Sequence, residues 1–146
     1  MIPLIVLVVA FAVFRVVGFA FAYFATWQSS LRAALGVMFL LTASAHWGSR
    51  RADLIGMVPR GFGSPSVWVT VTGFAELMIA AGLQIRAIAF LVAIAAAAML
   101  VCIFPANAKA TREKLTIGGR PVPSFGARLV IQIVFLAALT AAAWPH

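Results

Sequence analysis

Read for its apolar runs, the chain separates into five long stretches joined by short polar or turn-rich pieces. They span roughly 2–27, 32–48, 67–84, 86–105 and 127–144. A helix needs about 20 mostly apolar residues to cross the hydrocarbon core of a bilayer, and each stretch approaches that length. Strand-like alternation is missing, which argues against a β-barrel. The pattern predicts an all-α, polytopic transmembrane bundle forming one domain over 1–146. The joint at Gln84, Ile85 and Arg86 is so tight that the third and fourth stretches must form an antiparallel hairpin. The fourth stretch is rich in alanine, and small residues let helices approach closely in lipid; it is expected in the middle of the bundle. The first stretch lacks a basic start and an A-x-A cleavage signal, and reads as a retained membrane helix rather than a signal peptide.

The two long connections carry the polar character. Residues 49–66 hold RRADLIGMV, which reads as a short interfacial helix, followed by Pro and Gly breakers. Residues 106–126 end in GGRPVPSFG, and IGGR suits a tight reversal. With five crossings, both connections share a face with the N-terminus. That face carries Arg50, Arg51, Arg60, Lys109, Arg112, Lys114 and Arg120, against Arg32 and Arg86 on the other. Basic loops stay on the cytoplasmic side. The expectation is a multi-pass plasma-membrane protein with its N-terminus inside and its C-terminus outside.

Composition agrees. The chain is 64% hydrophobic and 10% charged, with a mean hydropathy of +1.10. Soluble domains are about half apolar and a quarter charged. The net charge of +8 is explained by orientation and by anionic headgroups, not by nucleic acid, for which the polar surface is too small. Membrane lipids are the expected partners. Cys102 is the single cysteine and reads as a small buried hydrophobe. Thiol exchange within the chain and a Cys/His metal site are disfavoured.

The chain has three acids, and Glu76 lies inside VTVTGFAELMIAAGL, in the third stretch. A carboxylate near the bilayer centre costs roughly 2.5–3.5 kcal/mol on insertion scales, so Glu76 should face the bundle interior or hold its proton. Thr72 lies one turn before it on the same face. Candidate partners come from other stretches: His46 with Thr42 one turn away, Asn107, and Arg128 with Gln132 one turn deeper. Their depths allow one polar cluster near the basic face. Glu76 and His46 are its candidate proton-transfer groups; Thr72, Asn107, Arg128 and Gln132 are candidate ligand contacts. The same residues would also serve as a hydrogen-bond network locking four helices. Arg15, halfway along the first stretch, either pairs with Glu76 or snorkels outward. Trp27, Trp47, Trp68 and Trp144 lie near stretch ends, as an aromatic belt does; Trp47 and Trp68 are also placed to cap a flat ligand. Pro105 either kinks or ends the fourth helix.

Over residues 32–144 these features resemble the DoxX family of small bacterial membrane proteins. The resemblance rests on R-x-x-L-G-x-x-F-L-x-x-x-x-x-H-W at 32–47, RADLIGMVP at 51–59, TGFAEL at 72–77, FPAN at 104–107 and RLVIQ at 128–132, in that order. It implies a four-helix core to which the first stretch is an N-terminal addition. It implies a link to membrane oxidoreductase systems, including a quinone-reducing thiosulfate enzyme, and a polar site at His46, Glu76 and Asn107. The paired cysteines of redox relatives are missing, which speaks against a thiol relay. No haem, flavin or metal motif is in the sequence, so electrons would come from a redox partner protein or from a bound cofactor that the sequence does not mark. A quinone suits an apolar pocket with a few polar groups at its rim. The expected function is a quinone- or lipid-binding component of such a system. The alternatives are an acid–base isomerase on a lipophilic substrate, with Glu76 and His46 as acid and base, and a non-catalytic partner or assembly factor.

Overall fold

The computed structural model describes residues 1–144 apart from 60 and 62. Arg60, counted above among the basic-face charges, lies outside the described residues. Six helices follow in order: α1 (Ile2–Val17), α2 (Trp27–Ser44), α3 (Arg51–Met57), α4 (Pro65–Gly82), α5 (Ala89–Arg112) and α6 (Phe125–Ala143). A 3-10 turn at Ala22–Phe24 precedes α2, and a two-residue hairpin, β1 (Thr116–Ile117) with β2 (Arg120–Pro121), precedes α6.

The helix ends follow from local chemistry. The Thr26 side chain accepts from the Ser29 N–H at the start of α2, and Ser124 accepts from the Ala127 N–H at the start of α6. Each satisfies an amide that the helix leaves open. Pro65 opens α4, where its missing N–H costs nothing. The hairpin turns on Gly118 and Gly119, both at positive φ, as a two-residue reversal requires.

Helices α2, α4, α5 and α6 form a closed ring in which each packs on its neighbours, and α1 packs on the outside against α2. This is the expected four-helix core with one added helix. The shared core joins Leu35, Met38 and Phe39 of α2 to Ile79 of α4, Leu100 of α5 and Leu139 of α6, with Leu7 entering from α1. Outside it the surface is apolar. Val71, Phe74 and Met78 on α4, Leu91 and Ile94 on α5, and Val130 and Ile133 on α6 are exposed. A chain with that much apolar surface is solvated by lipid, not water. Helices α4, α5 and α6 are each long and apolar enough to cross a membrane. The molecule is an all-α membrane protein.

Four expectations change. The central helix is α2, not the alanine-rich α5. On α5 only the stripe Ala89, Ala93, Ala96 and Leu100 is buried through the apolar run, while Ala95 and Ala98 are exposed. Alanine tolerates close packing on any face, so its abundance does not say which faces are used. Cys102 is exposed on the same helix, not buried. The first stretch ends as a helix at Val17, so Arg15 stands in its last turn instead of its middle. There its guanidinium donates to the Ala25 carbonyl, at the end of the bundle opposite the basic loops, and it has no part in balancing Glu76. Of the two readings of Pro105, the helix end is the one that fails: Pro105 lies inside α5, which runs on for seven residues to Arg112. Proline removes one amide donor, and the continuation is braced by Phe104 packed edge-on against Phe125 of α6 at 5.6 Å between ring centres.

One face of the bundle gathers the end of α2, α3, the end of α5, the hairpin and the start of α6. The amino group of Met1 is there too; burial and the nearby Arg128 guanidinium lower its pKa. Arg51 ties this face together, donating to the His46 and Ser66 carbonyls at 2.7 and 3.2 Å and to the Thr70 hydroxyl at 2.8 Å. Lys109 of α5 donates to the Gly56 and Val58 carbonyls at the end of α3, where a cation complements the helix dipole. Asp53 of α3 accepts from the Gly118 N–H at 2.8 Å.

At the opposite face, the Gln84 amide donates to the Arg32 carbonyl of α2 and to Ala80, while the Tyr23 hydroxyl donates to the Gln84 carbonyl. Replacing Gln84 by alanine removes the side-chain bonds that hold the α4–α5 turn to α2. The expected result is a loss of about 1–2 kcal/mol, read as a lower melting temperature in detergent, with helix content unchanged by circular dichroism.

Candidate functional site

Among the described residues the most buried ionisable group, Glu76, sits where α2 meets α4. The two helices approach closely because each offers a glycine to the other. A Cβ on Gly36 would stand 2.7 Å from the Gln84 amide nitrogen; one on Gly73 would stand 2.7 Å from the His46 Cβ and 2.9 Å from the Trp47 ring. Gly73 is three residues before Glu76, on the same side of α4. The bare backbone at Gly73 therefore lets the imidazole of His46 lie over the turn that presents Glu76.

His46 follows α2 by two residues, its N–H donating to the Ala43 carbonyl at 2.9 Å. Its ring Nδ1 stands 3.1 Å from the Thr42 carbonyl. A carbonyl only accepts, so Nδ1 carries the proton in that contact and Nε2 is the acceptor nitrogen of a neutral ring. The same Nδ1 faces Glu76 Oε2 at 3.7 Å, beyond hydrogen-bond length. The Thr42 side chain also lies against the carboxyl group. Both residues are buried, His46 to 8% exposure and Glu76 to 6%. Glu76 Oε2 is inaccessible and has no hydrogen-bond partner among the described residues. A buried carboxyl oxygen without a partner costs of order 1–3 kcal/mol, so this pair stands ready to take a proton or a donor.

Around the pair the wall turns aromatic. Trp47 packs edge-on against Phe74 of α4 at 5.2 Å and lies 6.1 Å from the His46 ring. Both Trp47 and Phe74 are about half exposed on the apolar surface. Trp68 is also exposed, on the first turns of α4. The Thr72 hydroxyl is spent on its own helix, donating to the Trp68 and Val69 carbonyls.

The remaining candidates form a second group on α5 and α6. Asn107 is inside α5, because that helix extends past it. The Arg128 guanidinium donates to Asn107 Oδ1 at 2.5 Å, and its buried Nε has no partner. The buried Gln132 amide donates to the Leu100 carbonyl at 2.7 Å. Among the described residues no hydrogen bond or ion pair joins this group to His46 and Glu76. The expected single cluster is thus two pairs, one on each side of the ring. Helix rotation decides this, and four residues at similar depth say nothing about it.

Two contributors escaped the sequence reading. Arg51 had counted only as an orienting charge, yet it holds the His46 backbone. Gly73 was unmarked, although a glycine one turn from an intramembrane acid is a readable sign of close helix approach.

Comparison with known proteins adds a family. Residues 35–144 match the family described as Domain of unknown function (DUF8561). The chain belongs to that family. The matched DUF8561 region starts within α2 and includes His46, Glu76, Asn107, Arg128 and Gln132; α1 precedes it. No curated protein and no solved structure matches the chain.

The Gly73 contact is testable. A methyl at position 73 meets the His46 Cβ and ring, which cannot swing away without moving the end of α2. Gly73→Ala should cost roughly 1–3 kcal/mol by overpacking. Gly56→Ala in α3, where a Cβ meets nothing within 4 Å, should be neutral or slightly stabilising. Thermal melts of the two variants beside the wild type check the contrast, and equal melting temperatures would refute it.

Proposed function

We propose that this chain is a DoxX-like component of a membrane oxidoreductase system, and that it binds the head of a lipophilic carbonyl compound, a quinone, beside His46 and Glu76. The observation that carries the reading is the buried, unpartnered Glu76 Oε2 facing His46 Nδ1 at 3.7 Å. A quinone offers flat carbonyl chemistry that a proton-bearing pair can hydrogen-bond, and Trp47 supplies an aromatic face at the same place. Reduction of a quinone to a quinol takes up two electrons and two protons. The His46–Glu76 pair delivers protons to the carbonyl oxygens, and the electrons come from a redox partner protein. Asn107, Arg128 and Gln132 then hold α5 against α6 rather than touching the same head group.

Orientation follows from charge in the same reading. The face with Arg50, Arg51, Lys109, Arg112, Lys114 and Arg120 is cytoplasmic and the one with Arg15, Arg32 and Arg86 external, in the plasma membrane. The N-terminus is inside and the C-terminus outside. In a C102A background, K114C should resist a membrane-impermeant thiol reagent in intact cells while R86C reacts; the reverse pattern would invert the topology.

The ligand assignment is tested with protein purified in native lipid discs, wild type beside Glu76→Gln, by mass spectrometry of solvent extracts. Wild type should retain quinone, and the variant should retain roughly 10-fold less or lower still, the effect of losing one bond to a charged group. Its melting temperature should change little. A retained terpenoid or sterol-like molecule would point instead to acid–base chemistry on such a substrate. Equal extracts with a clearly less stable variant would make the pair structural and the protein a partner or assembly factor.

A further inference from the structure

A surface groove lies away from His46 and Glu76. It has a volume of about 750 Å³ and is lined by Pro59, Pro105, Ala108, Lys109, Arg112 and Glu113. It runs along the last two turns of α5, past the point where the apolar run ends, with Pro59, two residues past α3, also lining it. Pro59, Pro105 and Ala108 give it an apolar lining, and Lys109, Arg112 and Glu113 a charged one. The charges are unevenly committed. Lys109 already serves the Gly56 and Val58 carbonyls and stands 4.0 Å from the Glu113 carboxylate. Among the described residues the exposed Arg112 makes no side-chain hydrogen bond or ion pair. Arg112 thus offers an uncommitted planar fork of donors one turn from an ammonium, at the end of a helix whose apolar run has already stopped.

We propose that this groove is a binding site for an anionic membrane phospholipid, with the phosphate diester on Arg112 and the glycerol end of the chains against Pro105, Ala108 and Pro59. Arginine suits phosphate because its donors match two oxygens at once. The position selects a lipid over a free anion: the apolar floor continues into the exposed Val101 and Cys102 of α5, a path that acyl chains can follow and inorganic phosphate cannot use. Glu113 sets the register. Its carboxylate repels an anion, so the phosphate lies on the Arg112 side while Glu113 stays with Lys109. Lys114, two residues past Arg112, is not part of the groove.

The test uses the full chain in detergent, titrated with phosphatidylglycerol, with phosphatidylcholine of the same acyl chains, and with inorganic phosphate. Bound lipid is read by native mass spectrometry and stabilisation by thermal melts. Wild type should bind phosphatidylglycerol in preference to phosphatidylcholine, and inorganic phosphate should neither stabilise it nor compete. Arg112→Gln removes the fork and Ala108→Phe fills the groove without changing charge. Each should weaken phosphatidylglycerol binding about tenfold, with lipid-free melting temperature held. Lys114→Gln, an equal charge change outside the groove, should bind as wild type does. Equal loss in Arg112→Gln and Lys114→Gln would replace the site by diffuse surface charge. Unaltered binding in Ala108→Phe, or stabilisation by inorganic phosphate equal to that by the lipid, would overturn it as well.

Discussion

The approach of α2 to α4 governs the molecule. In lipid no hydrophobic force pushes helices together, so association depends on surface fit and on the few polar groups that find partners. Gly36 and Gly73 admit that fit at the two ends of one helix pair. At one end the Gln84 amide fills the space over Gly36 and bonds α2; at the other His46 lies over Gly73 and reaches towards Glu76. Because α2 also packs on α1 and α6, any shift of α4 against it disturbs the whole ring. The buried acid of α4 lies 3.7 Å from the histidine that follows α2, without a hydrogen bond between them.

The face that holds the basic loops is a cap built by side chains bonding backbone groups, carbonyls for Arg51 and Lys109 and an amide for Asp53. Arg51 bridges the end of α2 and the start of α4, Lys109 closes the end of α3, and Asp53 holds the hairpin. These bonds connect the surface directly to the site, since the carbonyl Arg51 grips belongs to His46. Basic residues of this face therefore also hold the short helix α3 over the bundle. Arg112 is left over from this arrangement, and it borders a groove. The two proposed binding places are separate in residues and in chemistry: a proton-bearing pair within the ring and a cation at its rim.

Much of the architecture was legible along the chain. Apolar runs of membrane length, a tight joint at Gln84–Arg86 and a breaker-rich loop around RRADLIGMV led to an α-helical bundle, a helical hairpin and a short helix at the surface. These depend on local pattern, where hydrocarbon thickness and turn chemistry act residue by residue. Glu76 and His46 could be picked out for the same reason, as ionisable groups that an apolar run does not need.

The neighbours of those groups were a tertiary matter. Which face of α5 is buried, where α1 stops, and whether Asn107 and Arg128 meet Glu76 all depend on helix rotation, which a uniformly apolar helix does not encode. Alanines accept either environment, so α5 carried no sign that its stripe of Ala89, Ala93, Ala96 and Leu100 was the inner one. Arg15 fell at a helix end because the chain reversed after Gly18, a choice made by packing against the segment that precedes α2. The amino-acid sequence by itself determined the membrane-borne helices and the two buried ionisable residues, through hydropathy and the cost of charge in lipid. Only the tertiary structure decided that His46 and Glu76 pair with each other while Arg128 pairs with Asn107, because glycine-permitted contact between particular helix faces, and not depth alone, brings side chains together.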